Sequence, residues 1–336
     1  MPPLTVLQSF PAPRATSVNP YTRLLAEHLG DVDGVAVLTF SWRTALLGRY
    51  DAFHAHWPEI LVDGHSPLKK IVRQVFTLAL LARLAVTRTP IVRTVHNVGL
   101  PSGISRRERM LLGLFERRTT LRIRLNAETP VDGPSALIPH GHYRDWFASY
   151  TPAERRVGQL GYAGRIRRYK GVETLVEAFR GTTDPALRLR VGGYPSTTEL
   201  ADAVTRLAEG DERISLEFGF ISDETLVDLV TTSELVVLPY QFMHNSAAAL
   251  TALSLDRPVL VPANEVNARL AAEVGDGWVH TFEGTLTPEA IAGALAEVHR
   301  APVVGRPRLD AREWPAAAVA HVAAYRAAVE AIRGRR

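Results

Sequence analysis

Three glycines and a group of cations lie between an apolar run ending at Leu160 and a helix-like stretch from Val172 to Arg180. In order they are Gly161-Tyr162-Ala163-Gly164, then Arg165, Ile166, Arg167, Arg168, Tyr169, Lys170 and Gly171. A strand-to-helix turn of this kind offers a phosphate backbone amides, a helix N-terminus and fixed positive charge. Lys170 sharpens the reading, because Lys69, Lys70 and Lys170 are the only lysines among 39 basic residues. A compact ammonium amid guanidiniums suits a point contact with a phosphate oxygen.

Two further strand ends carry related chemistry. Gly219-Phe220-Ile221 leads into Ser222-Asp223, with Ser222 a natural helix N-cap. Pro239-Tyr240-Gln241-Phe242-Met243-His244-Asn245-Ser246 then precedes another helix, which places Asn245 and Ser246 where free amides favour an anion. In the first half, histidines gather at strand ends: His54-Ala55-His56-Trp57-Pro58-Glu59, His96-Asn97 and His140-Gly141-His142. His56 reads as the more accessible of the first pair and as a candidate acceptor contact. A His-x-His pair can ligate metal, but no carboxylate cluster accompanies it at ligand spacing, so no metal is expected. Asp31-Val32-Asp33 precedes a strand and reads as a solvated turn.

The elements that must position these groups alternate between β and α almost throughout, which predicts parallel sheets covered by helices. In the first half the strands are read at 4–8, 35–40, 52–54, 91–95 and 136–138, with helices at 21–29, 68–86 and 106–118. In the second half they are read at 159–162, 187–191, 214–218, 235–238 and 259–261. The helices there are 172–179, 199–208, 223–231, 247–255 and 288–299. The polar stretch from Tyr143 to Gly158 reads as a linker. The expected organisation is a domain over 1–150, a second over 151–310, and a helix over 311–336 returning toward the first. Ligands of doubly wound sheets bind beyond the carboxyl ends of the strands.

Composition narrows the class. The chain has 336 residues, 46% apolar and 22% charged, with a net charge of +4 and no cysteine, so disulfides and cysteine-ligated zinc are excluded. Neither a signal-peptide pattern nor a membrane-spanning run is read, which leads to the expectation of a cytoplasmic protein. Basic faces at 68–86 and 106–124 read first as solvated surface and second as a peripheral contact with the inner face of a membrane. No aromatic platform accompanies them, so no nucleic acid partner is expected.

The order of motifs over residues 158–265 resembles the carboxyl-terminal domain of family-four glycosyltransferases of the GT-B fold. That resemblance implies an α/β protein of two doubly wound Rossmann-like domains facing a central cleft. It implies a nucleotide-diphosphate sugar as donor, no cofactor, and a sugar or lipid-linked acceptor such as a glycolipid or polysaccharide precursor. By resemblance Arg165 and Lys170 bind the diphosphate, Gly219, Phe220 and Ile221 receive the base, and His96 stands near the reaction centre. Gly164, Gly193, Asn245, Ser246 and Thr251 complete the donor side, with Asn19, His56 and Glu59 on the acceptor side.

The chain departs from the family at two glutamates, whose places fall on Met243 and Thr251. Near its start, Asn19-Pro20-Tyr21 stands where the family has a glycine pair. The implied reaction is metal-independent and retaining, with the leaving phosphate taking the acceptor proton. Inversion would instead require a general base, and Glu59 or His56 is the candidate. The lost glutamates keep two other readings open, a sugar-nucleotide-binding protein without transferase activity and a nucleotide-sugar epimerase.

Overall fold

The computed structural model describes residues 3–12, 19–100 and 103–334. It divides into two compact units, Met1–Gly141 with Arg312–Arg336, and His142–Ala311. Each unit is built on a six-stranded sheet in which every pairing is parallel.

In the first unit the strands are β1 (Leu4–Gln8), β2 (Val35–Leu38), β3 (Ala52–Ala55), β4 (Ile91–Val95), β5 (Thr119–Arg124) and β6 (Ser135–Leu137), in the order β2-β1-β3-β4-β5-β6. The chain runs outward from β1 in one direction and returns to β3 on its other side. The carboxyl ends of β1 and β3 therefore flank a topological switch point, which is where Gln8 and His56 lie. The helix Trp314–Arg333 belongs to this unit and packs on helix Pro20–Gly30 and on β3 to β5. Its first residue, Trp314, fits only because position 141 is glycine: a Cβ there would stand 2.3 Å from the indole.

The second unit holds β7 (Gln159–Ala163), β8 (Arg188–Gly193), β9 (Ile214–Phe218), β10 (Leu235–Val237), β11 (Val259–Pro262) and β12 (Val279–Phe282), in the order β12-β11-β10-β7-β8-β9. Its switch point lies between β7 and β10. Both strands are buried along their whole length, as expected for strands covered on both faces.

The structure adds elements that the sequence pattern does not announce. β5 reads as part of a basic run because it carries Arg122 and Arg124, yet Leu121 and Ile123, which alternate with them, are buried and Glu116 binds Arg122. Helices Trp42–Leu47 and Glu265–Val274 and strand β12 are likewise additional. The segment read as a linker contains helix Arg144–Phe147, which is tied into the second unit. Trp146 Nε1 donates to Asp223 at 2.9 Å and Arg144 donates to the Pro307 carbonyl at 2.7 Å. The unit boundary therefore falls before that segment, at Gly141.

Candidate active site

In the second unit three glycines end three adjacent strands in left-handed backbone: Gly164 (φ 144°), Gly193 (φ 155°) and Gly219 (φ 136°). Each strand's last amide is tied to its neighbour, Gly164 to the Gly192 carbonyl and Gly219 to the Gly193 carbonyl, both at 3.0 Å. At Gly193 a Cβ would lie 1.7 Å from the Gly164 carbonyl oxygen, so no side chain fits. The carboxyl edge of the sheet is thus left as bare backbone.

The turn beyond β7 closes with a 3-10 turn, Arg168–Lys170, and Gly171 at φ 66°. A Cβ on Gly171 would meet the Pro239 carbonyl at 2.1 Å, so the turn is pressed against the end of β10. Helix Val172–Arg180 then starts without a side-chain cap, unlike helices Asp223–Thr232 and Ala247–Ser254, which Ser222 and Ser246 cap. Its first amides have no side-chain partner to satisfy them.

Lys170 crosses the switch point. Its Nζ donates to the Tyr240 hydroxyl at 3.0 Å and sits 4.7 Å from the centre of that ring. No carboxylate among the described residues lies within ion-pair distance of Lys170, Arg165 or Arg167. Burial, with Arg167 and Arg165 beside it, brings the ammonium down to about 8. A half-buried cation short of a counter-charge is a site prepared for an anion. The Ser246 hydroxyl lies beside the same Tyr240 phenol, which connects the lysine to the start of the next helix. Phe220, immediately after Gly219, exposes 85% of its side chain, and Tyr194 after Gly193 exposes 59%.

Met243 is 6% exposed; Asn264 donates to its carbonyl and Asn267 to its sulfur. It is a packing residue, in keeping with an apolar side chain at that place. Thr251 is half-buried in helix Ala247–Ser254.

In the first unit the histidines form one buried assembly. His56 Nε2 meets Gln8 Oε1 at 3.0 Å and His56 Nδ1 meets His96 Nε2 at 3.3 Å. Gln8 Nε2 donates to the Tyr325 hydroxyl, which meets His54 Nδ1 at 2.7 Å, while His54 Nε2 meets Thr94 Oγ1 at 2.8 Å. Trp57 stacks on His96 with ring centres 4.2 Å apart.

Burial, followed by neighbouring imidazoles, holds His54 and His96 well below the usual histidine range and brings His56 to about 3. The rings are therefore neutral at physiological pH. The reading of His56 as the accessible ring is corrected: it is 1% exposed, because β3 stays buried to its end and Gln8 and His96 engage both ring nitrogens. Asn19 is exposed and caps helix Pro20–Gly30, its Oδ1 accepting from Tyr21 N at 3.0 Å. Residues 13–18 of the loop that Asn19 ends lie outside the described residues.

His56, Trp57, Glu59, His96 and Asn97 line a cavity of about 370 Å³, whose far wall is Glu116 bound by Arg93 and Arg122. Glu59 opens the short helix Glu59–Val62, and burial raises its carboxyl above the usual range against the opposing pull of Arg93. The structure thus brings His96, His56 and Glu59 together in one unit, and Lys170, Arg165, Gly164, Gly193 and Gly219 with the Ser246 helix start in the other. Sequence reasoning missed Tyr240, Gln8 and Tyr325. Gln8 left a signal, a polar residue closing a strand after the apolar run Val6-Leu7, while the two tyrosines look like core aromatics.

The family model described as Glycosyl transferases group 1 matches residues 152–309. Over 332 residues the chain is 42% identical to a GDP-mannose:glycolipid 4-beta-D-mannosyltransferase of Xanthomonas campestris pv. campestris, covering 98% of this chain and 93% of that protein.

The chain belongs to the group 1 glycosyltransferases.

Solved structures agree on the fold of this glycosyltransferase, which is GT-B. HepE of Anabaena, in complex with UDP and glucose, superposes with a TM-score of 0.59 at 14% identity, covering 99% of both chains. WaaG, a glycosyltransferase involved in lipopolysaccharide biosynthesis, superposes with a TM-score of 0.58 at 13% identity, covering 98% of this chain and all of that one.

Proposed function

We propose that this glycosyltransferase moves a mannosyl group from GDP-mannose to a hydroxyl of a glycolipid, with inversion at the anomeric carbon. The observation that carries the reading is the 42% identity along 98% of the chain to an enzyme named for that donor, that acceptor class and a β linkage. The mannosyl group of GDP-mannose is α-linked to its diphosphate, so a β product from it requires inversion. The second unit takes the donor. Arg165 and Lys170 meet the diphosphate where negative charge grows as the bond breaks, and the helix starts at Val172 and Ala247 add amides. These fixed charges serve a departure without metal. The exposed ring of Phe220 lies at the bare edge left by Gly219, where the base is received.

The acceptor occupies the cavity of the first unit. Inversion calls for a base on the acceptor hydroxyl, and Glu59 is that base: it lines the cavity, and its raised carboxyl is better matched to the task than an exposed carboxylate. His96 orients a sugar hydroxyl beside it. Incubation with GDP-mannose and a lipid-linked saccharide is expected to yield GDP and mannosylated lipid, while UDP-glucose gives no product. Turnover of UDP-glucose in preference to GDP-mannose would refute the donor assignment.

The acceptor's lipid has a matching surface. Helix Pro67–Val86 buries Gln74, Thr77, Leu80, Leu81 and Leu84, yet its outward side is also apolar, with Leu68 71%, Val75 56% and Val86 85% exposed and Ile71, Val72 and Leu78 between them. It contains no acidic residue and begins with Lys69, Lys70 and Arg73. Helix Arg106–Arg118, packed against it, exposes Arg106, Arg107, Arg109 and Met110. A helix apolar on both sides with a cationic border fits the interface of an anionic bilayer. Among the described residues no helix is long and apolar enough to cross a membrane.

The double substitution Ile71→Glu and Val75→Glu is expected to reduce cosedimentation with phosphatidylglycerol-containing vesicles by at least about tenfold, since each change removes apolar burial and adds like charge. The melting temperature should barely move, because both side chains are exposed. Wild-type protein that stays in the supernatant at low salt would contradict this contact.

A further inference from the structure

Among the described residues two glycines stand inside helices, Gly113 in helix Arg106–Arg118 and Gly293 in helix Pro288–Arg300. Glycine weakens a helix relative to alanine, and two structural reasons usually retain it there: a positive φ, or a neighbour too close for a Cβ. Neither holds at Gly113. Its backbone does not turn to positive φ, and among the described residues a Cβ would meet only Arg117 Nη1 of the same helix, at 3.7 Å. That is ordinary contact with the end of an exposed, flexible side chain. Gly293 has open space about it too, but it lies on the exposed side of its helix. Gly113 is half-buried and lines the cavity that holds Glu59 and His96.

The cavity follows β4 from Arg93 to Asn97, a span of up to about 13 Å at the rise of a strand, which is longer than one pyranose ring. Leu112, Gly113 and Glu116 form its helical wall. Three, four and seven residues before Gly113 on the same helix stand Met110, Arg109 and Arg106, so all four share one stripe. The three are exposed, Met110 by 61%, and they belong to the cationic border beside helix Pro67–Val86. Gly113 therefore stands where the cavity meets the stripe that leads to the proposed lipid surface.

We propose that Gly113 is a specificity-determining residue for the acceptor. The reacting sugar lies at Glu59 and His96, and the next sugar toward the lipid crosses helix Arg106–Arg118 over the bare backbone at Gly113. The missing side chain is the opening, and any larger residue stands in the path. Glu116, three residues on and held by Arg93 and Arg122, presents a fixed carboxylate beside the crossing, where sugar hydroxyls can donate to it. The inference rests on the reading of this cavity as the acceptor site.

Gly113→Ala and Gly113→Leu test it, with Gly293→Ala as control. Both alanine variants should raise the melting temperature by about 2 °C, because each removes a glycine from a helix interior. Gly113→Ala should raise the KM for a lipid-linked oligosaccharide about threefold and Gly113→Leu at least about tenfold, the effect of filling a fitted site. Calorimetric binding of GDP should match wild type in all three, and Gly293→Ala should keep the wild-type acceptor KM. Gly113→Leu with an unaltered acceptor KM would overturn the proposal. So would a loss of stability in Gly113→Ala, since glycine would then be a packing requirement of the helix. Trp57, stacked on His96, distinguishes this inference from the acceptor reading beneath it. The emission that Trp57→Phe removes should be quenched when the oligosaccharide binds wild-type protein, and only at higher concentrations in Gly113→Leu. Quenching of Gly113→Leu at wild-type concentrations would overturn the crossing at Gly113 and leave the acceptor site in place. No quenching in wild-type protein would overturn both.

Discussion

Replacing Lys170 with methionine is expected to cut kcat/KM for the donor by about 10²- to 10³-fold, the loss that follows removal of one group aimed at developing charge. The same substitution should stabilise the ligand-free protein, by on the order of 1–2 kcal/mol. Both effects have one cause. The ammonium is half-buried, donates to the neutral Tyr240 hydroxyl, has Arg165 and Arg167 nearby, and has no carboxylate within ion-pair distance among the described residues. Its charged form is disfavoured until a diphosphate arrives, and methionine removes that penalty together with the contact.

The sign of the pH dependence follows. The folded-state pKa, about 8, lies below the ordinary lysine value of 10.5. Between those values the unfolded chain holds the extra proton, so stability rises with pH across that window. In Lys170→Met this rise should disappear. In wild-type enzyme, kcat/KM should fall as pH passes about 8 and the free enzyme loses the ammonium. Calorimetric melts of both proteins from pH 7 to 10.5 check the stability limb. A variant less stable than wild type throughout would show that Lys170 is a structural residue.

Glu59→Gln carries the next largest effect, a loss in kcat of roughly 10²- to 10⁴-fold if the carboxylate removes the acceptor proton. The amide keeps the shape of the side chain at the start of helix Glu59–Val62, so the acceptor KM should change little. Burial raises the Glu59 carboxyl, and a base works only when ionised. Wild-type activity should therefore rise with pH through a limb above the usual glutamate range, and the variant should lack that limb. Steady-state kinetics from pH 4 to 7 distinguishes the outcomes. A variant with near wild-type kcat would move the base elsewhere in the cavity, with His96 next in line.

The second unit was the more legible half of the chain. Gly164, Lys170, Gly193 and Gly219 stand out because strand ends that must approach another backbone exclude side chains, and the lysine is rare in an arginine-rich chain. β7, β10 and β11 read correctly because they are buried along their whole length and hold no charged residue, while β9 reads from the alternation of Ile214, Leu216 and Phe218. β5 escaped because the partner of Arg122, Glu116, lies on a preceding helix, so the neutralisation of Arg122 is tertiary. The histidine assembly escaped for the same reason. His54, His56 and His96 were visible as strand-end residues. The groups that orient them, Gln8 and Tyr325, come from opposite ends of the chain, and no local spacing connects them. Asn19, read as an acceptor contact, caps helix Pro20–Gly30, and a cap and a ligand contact call for the same kind of side chain.

The most direct test is the anomeric configuration of the mannose transferred from GDP-mannose to a lipid-linked saccharide, read from the one-bond carbon–proton coupling at its anomeric carbon. Inversion predicts the smaller coupling of a β-mannoside. A product with the larger coupling of an α-mannoside would contradict the account, because it would mean retention and leave Glu59 without a proton to take.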